Sequence, residues 1–382
     1  MTKKGKEFPL RLVSPEFDSP LTDTLLELDH LRRLKLGGST APWMFFQLKN
    51  IFHILESIGS ARIEGNRTTI SEYIEQKIEH TEHSKERFSE IANVENAMNF
   101  IEDNIDEGAP LTHHFIRELH QLVVDDLGAE GDRTPGAYRT WNVEIHNAEH
   151  LPPEAHAVQP YMDELLGFIN QDHPPKYDLL KTALAHHRFV WIHPFGNGNG
   201  RVVRLLTYAL LIKYGFNVKQ GKLLNPTAVF CNDRDRYYTC LSRADAGTDQ
   251  ALLEWCDYVL TGILGEITKL NKLLDAGFLR ERILYPTIAL SEARGYLTRP
   301  ESRILQTGVH LQSFKAGDLS KAIDGLDARA RTHRIAKMRE AGFINTLTPG
   351  GRIYYVNFMN NYLMRSLIKV LEDQQFIPPI DN

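Results

Sequence analysis

The sequence predicts a mainly α fold: a helical bundle core carrying one small β-hairpin, followed by a C-terminal winged helix-turn-helix. Three observations carry that expectation. Apolar residues recur at helical spacing in most segments, as in Leu25, Leu28 and Leu31, or Phe45, Leu48, Phe52 and Leu55. Strand-like alternation is confined to short stretches, Asn142–Ile145 and Leu347–Val356. A polar, glycine-rich break, His193-Pro-Phe-Gly-Asn-Gly-Asn-Gly-Arg-Val-Val-Arg204, separates two strongly apolar helical segments.

Composition bounds the answer. A chain of 382 residues has room for two or three domains. Its 42% hydrophobic and 24% charged content is that of an ordinary globular protein. A net charge of −5 gives no overall attraction to nucleic acid and leaves only local basic patches to consider. Cys231, Cys240 and Cys256 are too few and too scattered for a disulfide framework or a zinc site, and read as thiols of a reducing compartment. The basic first residues lead into no apolar run, and no stretch approaches 18 apolar residues. Neither a signal peptide nor a membrane span is expected, and the expected location is cytoplasmic.

In chain order, residues 1–20 are polar and proline-punctuated. Leu21–Leu34 reads as a helix, and Gly37-Gly38-Ser39-Thr40 as a break. Thr40 is placed to cap a longer helix with Pro42 in its first turn. That helix ends near Ser60-Ala-Arg-Ile-Glu64-Gly65, with Gly65 as its stop. Taken alone, Glu64 is a solvated glutamate at a helix end. Helices continue through residues 67–110, and Leu111–Leu127 is another, with Thr112 as cap. Gly131–Arg139 is a loop, and Asn142–Ile145 a short strand closed off by Pro152-Pro153. Helices resume at Met162–Ile169, through the glycine-rich break, across Asn225–Tyr238, and at Trp255–Leu264. The expected division is an N-terminal helical region at 1–105, a core at 106–265, and a C-terminal domain at 266–382.

In that last domain, Asp318 opens a short helix and Ala328–Ala341 a second, followed by Leu347–Val356 broken at Pro349-Gly350-Gly351-Arg352. Helix, turn, basic helix and glycine-tipped hairpin is the order of a winged helix-turn-helix. Arg329, Arg331, Arg334 and Lys337, with Arg352 on the wing, suit a phosphate backbone. The competing reading is a protein-interaction module with a solvated charged face.

The glycine-rich break reads as an anion cradle. Gly198 and Gly200 carry no Cβ, so their N–H groups can converge on a phosphate. Arg201 opens a helix whose N-terminus favours negative charge, and Arg204 follows about one turn later on the same face. His193, at the entrance, is placed to accept a proton near neutral pH. Asn197 stands where a metal ligand would be useful. No Walker or dinucleotide fingerprint is present.

With these residues in view, the segment resembles the signature of the Fic (Fido) family, His-x-Phe-x-Asp/Glu-Gly-Asn-Gly-Arg-x-x-Arg. Every fixed position matches except Asn197, where the family has an acid. Ser60-x-x-x-Glu64-Gly65 resembles the inhibitory motif found ahead of the core in many of its members. The resemblance implies transfer of AMP from ATP to a Ser, Thr or Tyr hydroxyl of a protein, releasing pyrophosphate. It implies His193 as the base and Phe195 as the loop's anchor in the core. Gly198, Asn199 and Gly200 would then meet the α-phosphate, Arg201 the β-phosphate and Arg204 the γ-phosphate. Tyr237 and Asp245 match positions beside the nucleoside. Val143, Glu144, Ile145, His150 and Leu151 fall in a hairpin flap that would hold the target by strand addition.

Ser60, Glu64 and Gly65 are implied to inhibit, Glu64 competing with the γ-phosphate for Arg204. A Mg²⁺ or Mn²⁺ ion is implied at position 197, where an amide contributes no charge. The outcomes there are a slower transferase, an altered metal or nucleotide preference, or a silent relative. Restoring an acid at 197 is expected to raise activity. Implied partners are a hydroxyl-bearing protein, the chain itself included, and a second copy in a homodimer. DNA at the winged helix is a further partner, and no membrane is expected. The alternatives to transfer are a nucleotide-sensing DNA-binding regulator and a de-AMPylase in which Glu64 orients water.

Overall fold

The computed structural model describes residues 7–33, 40–79, 86–145, 148–216, 227–231, 233–320 and 327–377. The predicted break at Gly37-Gly38-Ser39, Leu34 and Asn225 lie outside them. In chain order the helices are α1 (Pro20–Arg33), α2 (Pro42–Ile63), α3 (Ile70–Glu79), α4 (Glu86–Asn104), α5 (His113–Val124), α6 (Val158–Asn170), α7 (Asp178–Ile192) and α8 (Asn199–Lys213). Then come α9 (Thr227–Cys231), α10 (Arg234–Ala244), α11 (Asp249–Asn271), α12 (Ala276–Phe278), α13 (Tyr285–Ala293), α14 (Arg299–Leu311), α15 (Ala328–Glu340) and α16 (Asn361–Asp373). Strands β1 (Ile344–Thr346) and β2 (Tyr354–Val356) pair antiparallel, Ile344 opposite Val356.

By contact, the described residues within Met1–Leu36, His53–Thr68 and His83–Thr268 form one unit. Those within Gly37–Phe52, Thr69–Glu82 and Lys269–Asn382 form another. The described residues 40–52 and 69–79 thus group with the C-terminal helices.

The first unit is built around α7 and α8. Both are buried on nearly every side, as helices with apolar residues all round must be. They pack on each other, α6 lies against α7, and α4 and α5 lie against α8. Their polar residues are paired where they enter this core: Lys181 donates to the Gln171 carbonyl at 2.7 Å, and Lys213 to that of Ala109 at 2.7 Å. Thr112 caps α5 as the sequence predicts, accepting from the Phe115 N–H at 3.1 Å.

Thr40 does not cap α2. Its hydroxyl donates to the carbonyls of Leu273 and Leu274, at 3.3 and 2.9 Å, and so satisfies the end of another helix instead.

In the second unit, α14 leads to Phe314, which exchanges backbone hydrogen bonds with Tyr354 at 2.9 and 2.8 Å. A single helical turn at Ala316–Ser320 follows, then α15, capped by Asp327, then β1 and β2. Ile335 and Met338 bury the inner side of α15.

Candidate active site

The two central helices meet at the glycine-rich loop. His193 ends α7 in the left-handed conformation at φ 50°, its N–H donating to the Phe189 carbonyl at 3.0 Å. Few non-glycine residues adopt that backbone, and the surrounding structure holds it there. Arg139, 2% exposed, donates to the His193 carbonyl at 2.8 Å, and to those of Trp141 (3.0 Å), Pro153 (2.6 Å) and Ile192 (3.3 Å). Its own N–H meets the Pro194 carbonyl at 2.9 Å. Burial pushes the His193 imidazole down to about 4, the Val190 carbonyl working the other way. The ring is therefore neutral at pH 7 and competent to accept a proton.

Phe195 is fully buried. It lies flat on the His120 ring, centroids 3.7 Å apart and 4° from parallel. His120 Nδ1 accepts from the Gly136 N–H at 3.0 Å, so Nε2 bears the proton and donates to the Asn197 carbonyl at 3.1 Å. Burial pushes this ring also down to about 4, despite the Asp132 carboxylate beside it. Asp132 accepts the Asn197 N–H at 2.8 Å and the Thr134 N–H at 2.8 Å. Burial raises its carboxyl, but these bonds outweigh burial and leave it below its ordinary value.

Two residues assigned to the α-phosphate by sequence are engaged within the loop. Asn199 accepts from the Phe195 N–H at 3.0 Å and donates to its carbonyl at 2.9 Å. The Gly198 N–H donates to Asn197 Oδ1 at 2.7 Å. The first-turn amides of α8, at 199–201, precede the first bond of the helix, from the Val202 N–H to the Gly198 carbonyl.

Arg204 is 1% exposed and lies in the grip of the Ser60–Glu64 segment. Its Nε donates to Ser60 Oγ at 2.9 Å, and Nη2 to the Ser60 carbonyl at 2.9 Å and to Glu64 Oε1 at 2.6 Å. Nη1 is buried without a hydrogen-bond partner. Burial alone would raise the Glu64 carboxyl, but Arg204 outweighs it and the net shift is downward, so Glu64 is anionic. A Cβ on Gly200 would collide with Glu64 Oε1, which places the carboxylate directly over the start of α8. Gly65 follows at φ 105°, a conformation suited to glycine that turns the chain out of α2.

Arg201 is placed differently from the sequence expectation. It is 1% exposed and donates to the carbonyls of Val123 at 3.1 Å and Glu130 at 2.7 Å. Buried Glu90 stands 3.4 Å from Nη1 and is held in turn by Asn66 at 2.8 Å. Burial raises the Glu90 carboxyl. Arg201 thus braces the loop through Nη1 and Nη2, while its Nε is buried without a hydrogen-bond partner.

Tyr237 and Asp245 serve the histidines of α7. The Tyr237 side chain is 2% exposed, with its hydroxyl 2.9 Å from His186 Nε2 and its ring against Phe230 and Trp255. Asp245 pairs with His187 at 2.9 Å. Tyr237 is thus a core residue here, and it is Tyr238 beside it, 43% exposed, that faces outward. The flap strand does not form among the described residues. Val143, Glu144 and Ile145 carry no ladder pairing, and His150, with Leu151 next to it, is tied to the Trp191 carbonyl at 2.8 Å. Four alternating residues closed by two prolines have no neighbouring strand to complete their hydrogen bonds.

A divalent cation at position 197 does not fit these side chains. The Asn197 amide is turned inward, with Oδ1 accepting from Gly198 and Nδ2 donating to the Gly131 carbonyl at 3.2 Å. Sequence reasoning overlooked Arg139, His120 and Asp132. Only the Gly136-Ala-Tyr138-Arg139 stretch signalled any of them, and it reads there as a lead into the flap.

Residues 110–211 match the Fic/DOC family. Two relatives named protein adenylyltransferase Fic are similar. One from Nematostella vectensis is 29% identical over 193 residues, covering 49% of this chain and 42% of its own length. One from Drosophila grimshawi is 30% identical over 203 residues, covering 51% and 38%. The match thus spans less than half the length of each relative. Among solved structures, a Fic family protein from Desulfovibrio desulfuricans superposes with a TM-score of 0.56 at 18% identity, covering 92% of this chain and 98% of that one. A Fic domain containing signalling protein from Bacteroides thetaiotaomicron gives 0.53 at 20% identity, covering 67% and 97%. The fold is shared with both. The family match, the glycine-rich loop and the two central helices thus coincide within residues 110–211, and the fold is that of both solved structures.

Proposed function

We propose that this chain transfers AMP from ATP to a Ser, Thr or Tyr hydroxyl of a protein, and that Glu64 holds the activity down. The observation that carries the reading is the state of Arg204. One side of its buried guanidinium is taken by Glu64 at 2.6 Å, while Nη1 is left without a partner. A buried, unpartnered cationic N–H is costly unless an anion completes it. A terminal phosphate displacing Glu64 would do so.

The chemistry follows from the loop. The acceptor hydroxyl attacks the α-phosphorus as its proton passes to the neutral His193 imidazole. The bond to the bridging oxygen breaks, and pyrophosphate leaves. The first-turn amides of α8 and the buried charge of Arg201 stabilise the negative charge that develops on the phosphate oxygens. Arg204, freed from Glu64, fixes the far end of the triphosphate and so the in-line direction of attack. Arg139, His120 and Asp132 keep the loop in the shape this requires. No step here passes through Asn197.

The reading is tested with the Glu64→Gly chain and ATP labelled either in the adenine or at the γ-phosphate. Transfer of AMP puts the adenine label on protein and leaves the γ label in solution. Incorporation of the γ label instead would indicate a kinase, and the adenylyl reading would be dropped.

A second reading is favoured by the other unit. Helix α14, the Phe314–Tyr354 bridge, the Ala316–Ser320 turn, α15 and the β1–β2 hairpin follow the order of a winged helix. Arg329, Lys337 and Arg339 on α15 and Arg352 on the hairpin are exposed, while Arg331 and Arg334 are half-buried. Such a surface suits a DNA backbone. The chain would then be a DNA-binding regulator whose Fic domain senses nucleotide. Gel shift with duplex DNA, with the α15 arginines substituted as control, separates this from a purely enzymatic role.

A further inference from the structure

Asn197 is the one position where the loop departs from the signature it resembles, and of its three hydrogen bonds the one donated by Nδ2 requires an amide. Its Oδ1 accepts from the Gly198 N–H at 2.7 Å, its Nδ2 donates to the Gly131 carbonyl at 3.2 Å, and its backbone N–H donates to Asp132 Oδ2 at 2.8 Å. Turned over, the amide would set its NH₂ against the Gly198 N–H and its oxygen against the Gly131 carbonyl, so the network fixes its orientation. A carboxylate at 197 could keep the first bond, but its second oxygen would face the Gly131 carbonyl.

The neighbouring charge makes that exchange worse. Asp132 has a side chain only 1% exposed, and it contacts the loop over two residues. A Cβ on Gly196 would stand 2.9 Å from Asp132 Oδ2, and the Asn197 N–H is already bound to the same oxygen. His120, 3.5 Å from that oxygen, also donates to the Asn197 carbonyl. An acid at half-buried 197 would add a second carboxylate next to the one already bound to its own backbone N–H, and like charges that close disfavour each other's ionised form.

We propose that Asp132 and Asn197 form a matched latch, with the carboxylate housed at 132 and the amide at 197, and that Asp132 is a positioning residue for the start of α8. The absence of an acid at 197 is then a consequence of Asp132, not a loss. Restoring the acid weakens the site unless Asp132 is neutralised in the same chain. This reverses the expectation from sequence. The ligand readout rests on the triphosphate reading of the loop, whereas the folding readout does not.

The test is a double-mutant cycle in the full Glu64→Gly chain: Asn197→Asp, Asp132→Asn, and both. Two quantities are measured, ATP affinity by calorimetry and the thermal midpoint without ligand. Asn197→Asp is expected to weaken ATP binding about tenfold and to lower the midpoint by roughly 2–4 °C, the scale for a coupling near one kcal/mol in a unit of this size. The double variant is expected to bind ATP more tightly than Asn197→Asp and to melt higher. An Asn197→Asp chain that binds ATP as well as or better than its parent, or losses that simply add in the double variant, overturns the latch. If Asn197→Asp does not fold, a folded double variant supports the pairing and an unfolded one refutes it. If the Glu64→Gly parent binds no ATP, the nucleotide reading fails, and the thermal midpoints alone still decide the latch.

Discussion

Arg139 and His193 are joined by a 2.8 Å hydrogen bond from guanidinium to main-chain carbonyl, and that bond sets the direction in which the proposed base leaves its helix. Burial lowers the Arg139 guanidinium to about 10, so it stays charged at neutral pH with four carbonyls around it. Lysine carries the charge but not the planar fork. Arg139→Lys is expected to leave at least one of those carbonyls unpaired and to cost about 1–3 kcal/mol. Urea unfolding checks this, and a chain as stable as its parent would remove Arg139 from the account of the loop.

Ser60 is the quieter half of the hold on Arg204. Its hydroxyl accepts from Nε at 2.9 Å in a fully enclosed place. Ser60→Ala removes an acceptor from a charged donor, worth about 1.5–3 kcal/mol. Self-modification is expected to rise above that of the unaltered chain but to remain below that of Glu64→Gly. Measured initial rates with labelled ATP order the three.

The loop was legible in the sequence because its residue types are individually unusual and crowd into twelve positions. The helices α7 and α8 were legible because their apolar residues leave no exposed face. Ser60 and Glu64 were tied to Arg204 only by a resemblance, since nothing local to a helix end names a partner 140 residues away. Arg139, His120 and Asp132 were missed for a related reason. Each is a single residue with no periodicity, and its meaning lies in contacts that only the folded chain creates. Tyr237 shows the converse ambiguity. An aromatic residue on a helix has the same pattern whether it lines a ligand or the core, and here it meets His186 in the core. At 142–145, alternation alone was too little to make a strand.

The pH dependence has a definite sign. His193 and His120 are both held at about 4 by burial, below the ordinary value of 6.5. On acidification the unfolded chain therefore takes up these protons first. Their contribution to stability is fully present above pH 6.5 and is lost as pH falls toward 4. For the reaction, His193 remains a neutral base across the same window. The kcat/KM of the Glu64→Gly chain is expected to stay level from pH 8 down to about 5 and to drop only below that. An acid limb centred near 6.5 would show that His193 titrates as a solvated imidazole and would contradict the buried-base geometry.

For the basic helix, Arg329→Glu and Lys337→Glu are expected to abolish any shift of duplex DNA. For the unaltered chain, log affinity should fall linearly with log salt, with a slope of about −0.9 per phosphate contacted. Binding that is weak but insensitive to salt would argue for a protein partner instead.

Glu64 is proposed to restrain an AMP-transferring site whose base is His193. The most direct measurement is the intact mass of three chains after incubation with ATP and Mg²⁺ or Mn²⁺: unaltered, Glu64→Gly, and Glu64→Gly with His193→Ala. Adenylyl additions on Glu64→Gly are expected at least about tenfold above the unaltered chain, as for removing a charge-assisted bond of more than about 1.4 kcal/mol. None are expected when His193 is also replaced. Equal labelling of the first two chains, or undiminished labelling of the third, would contradict the proposal.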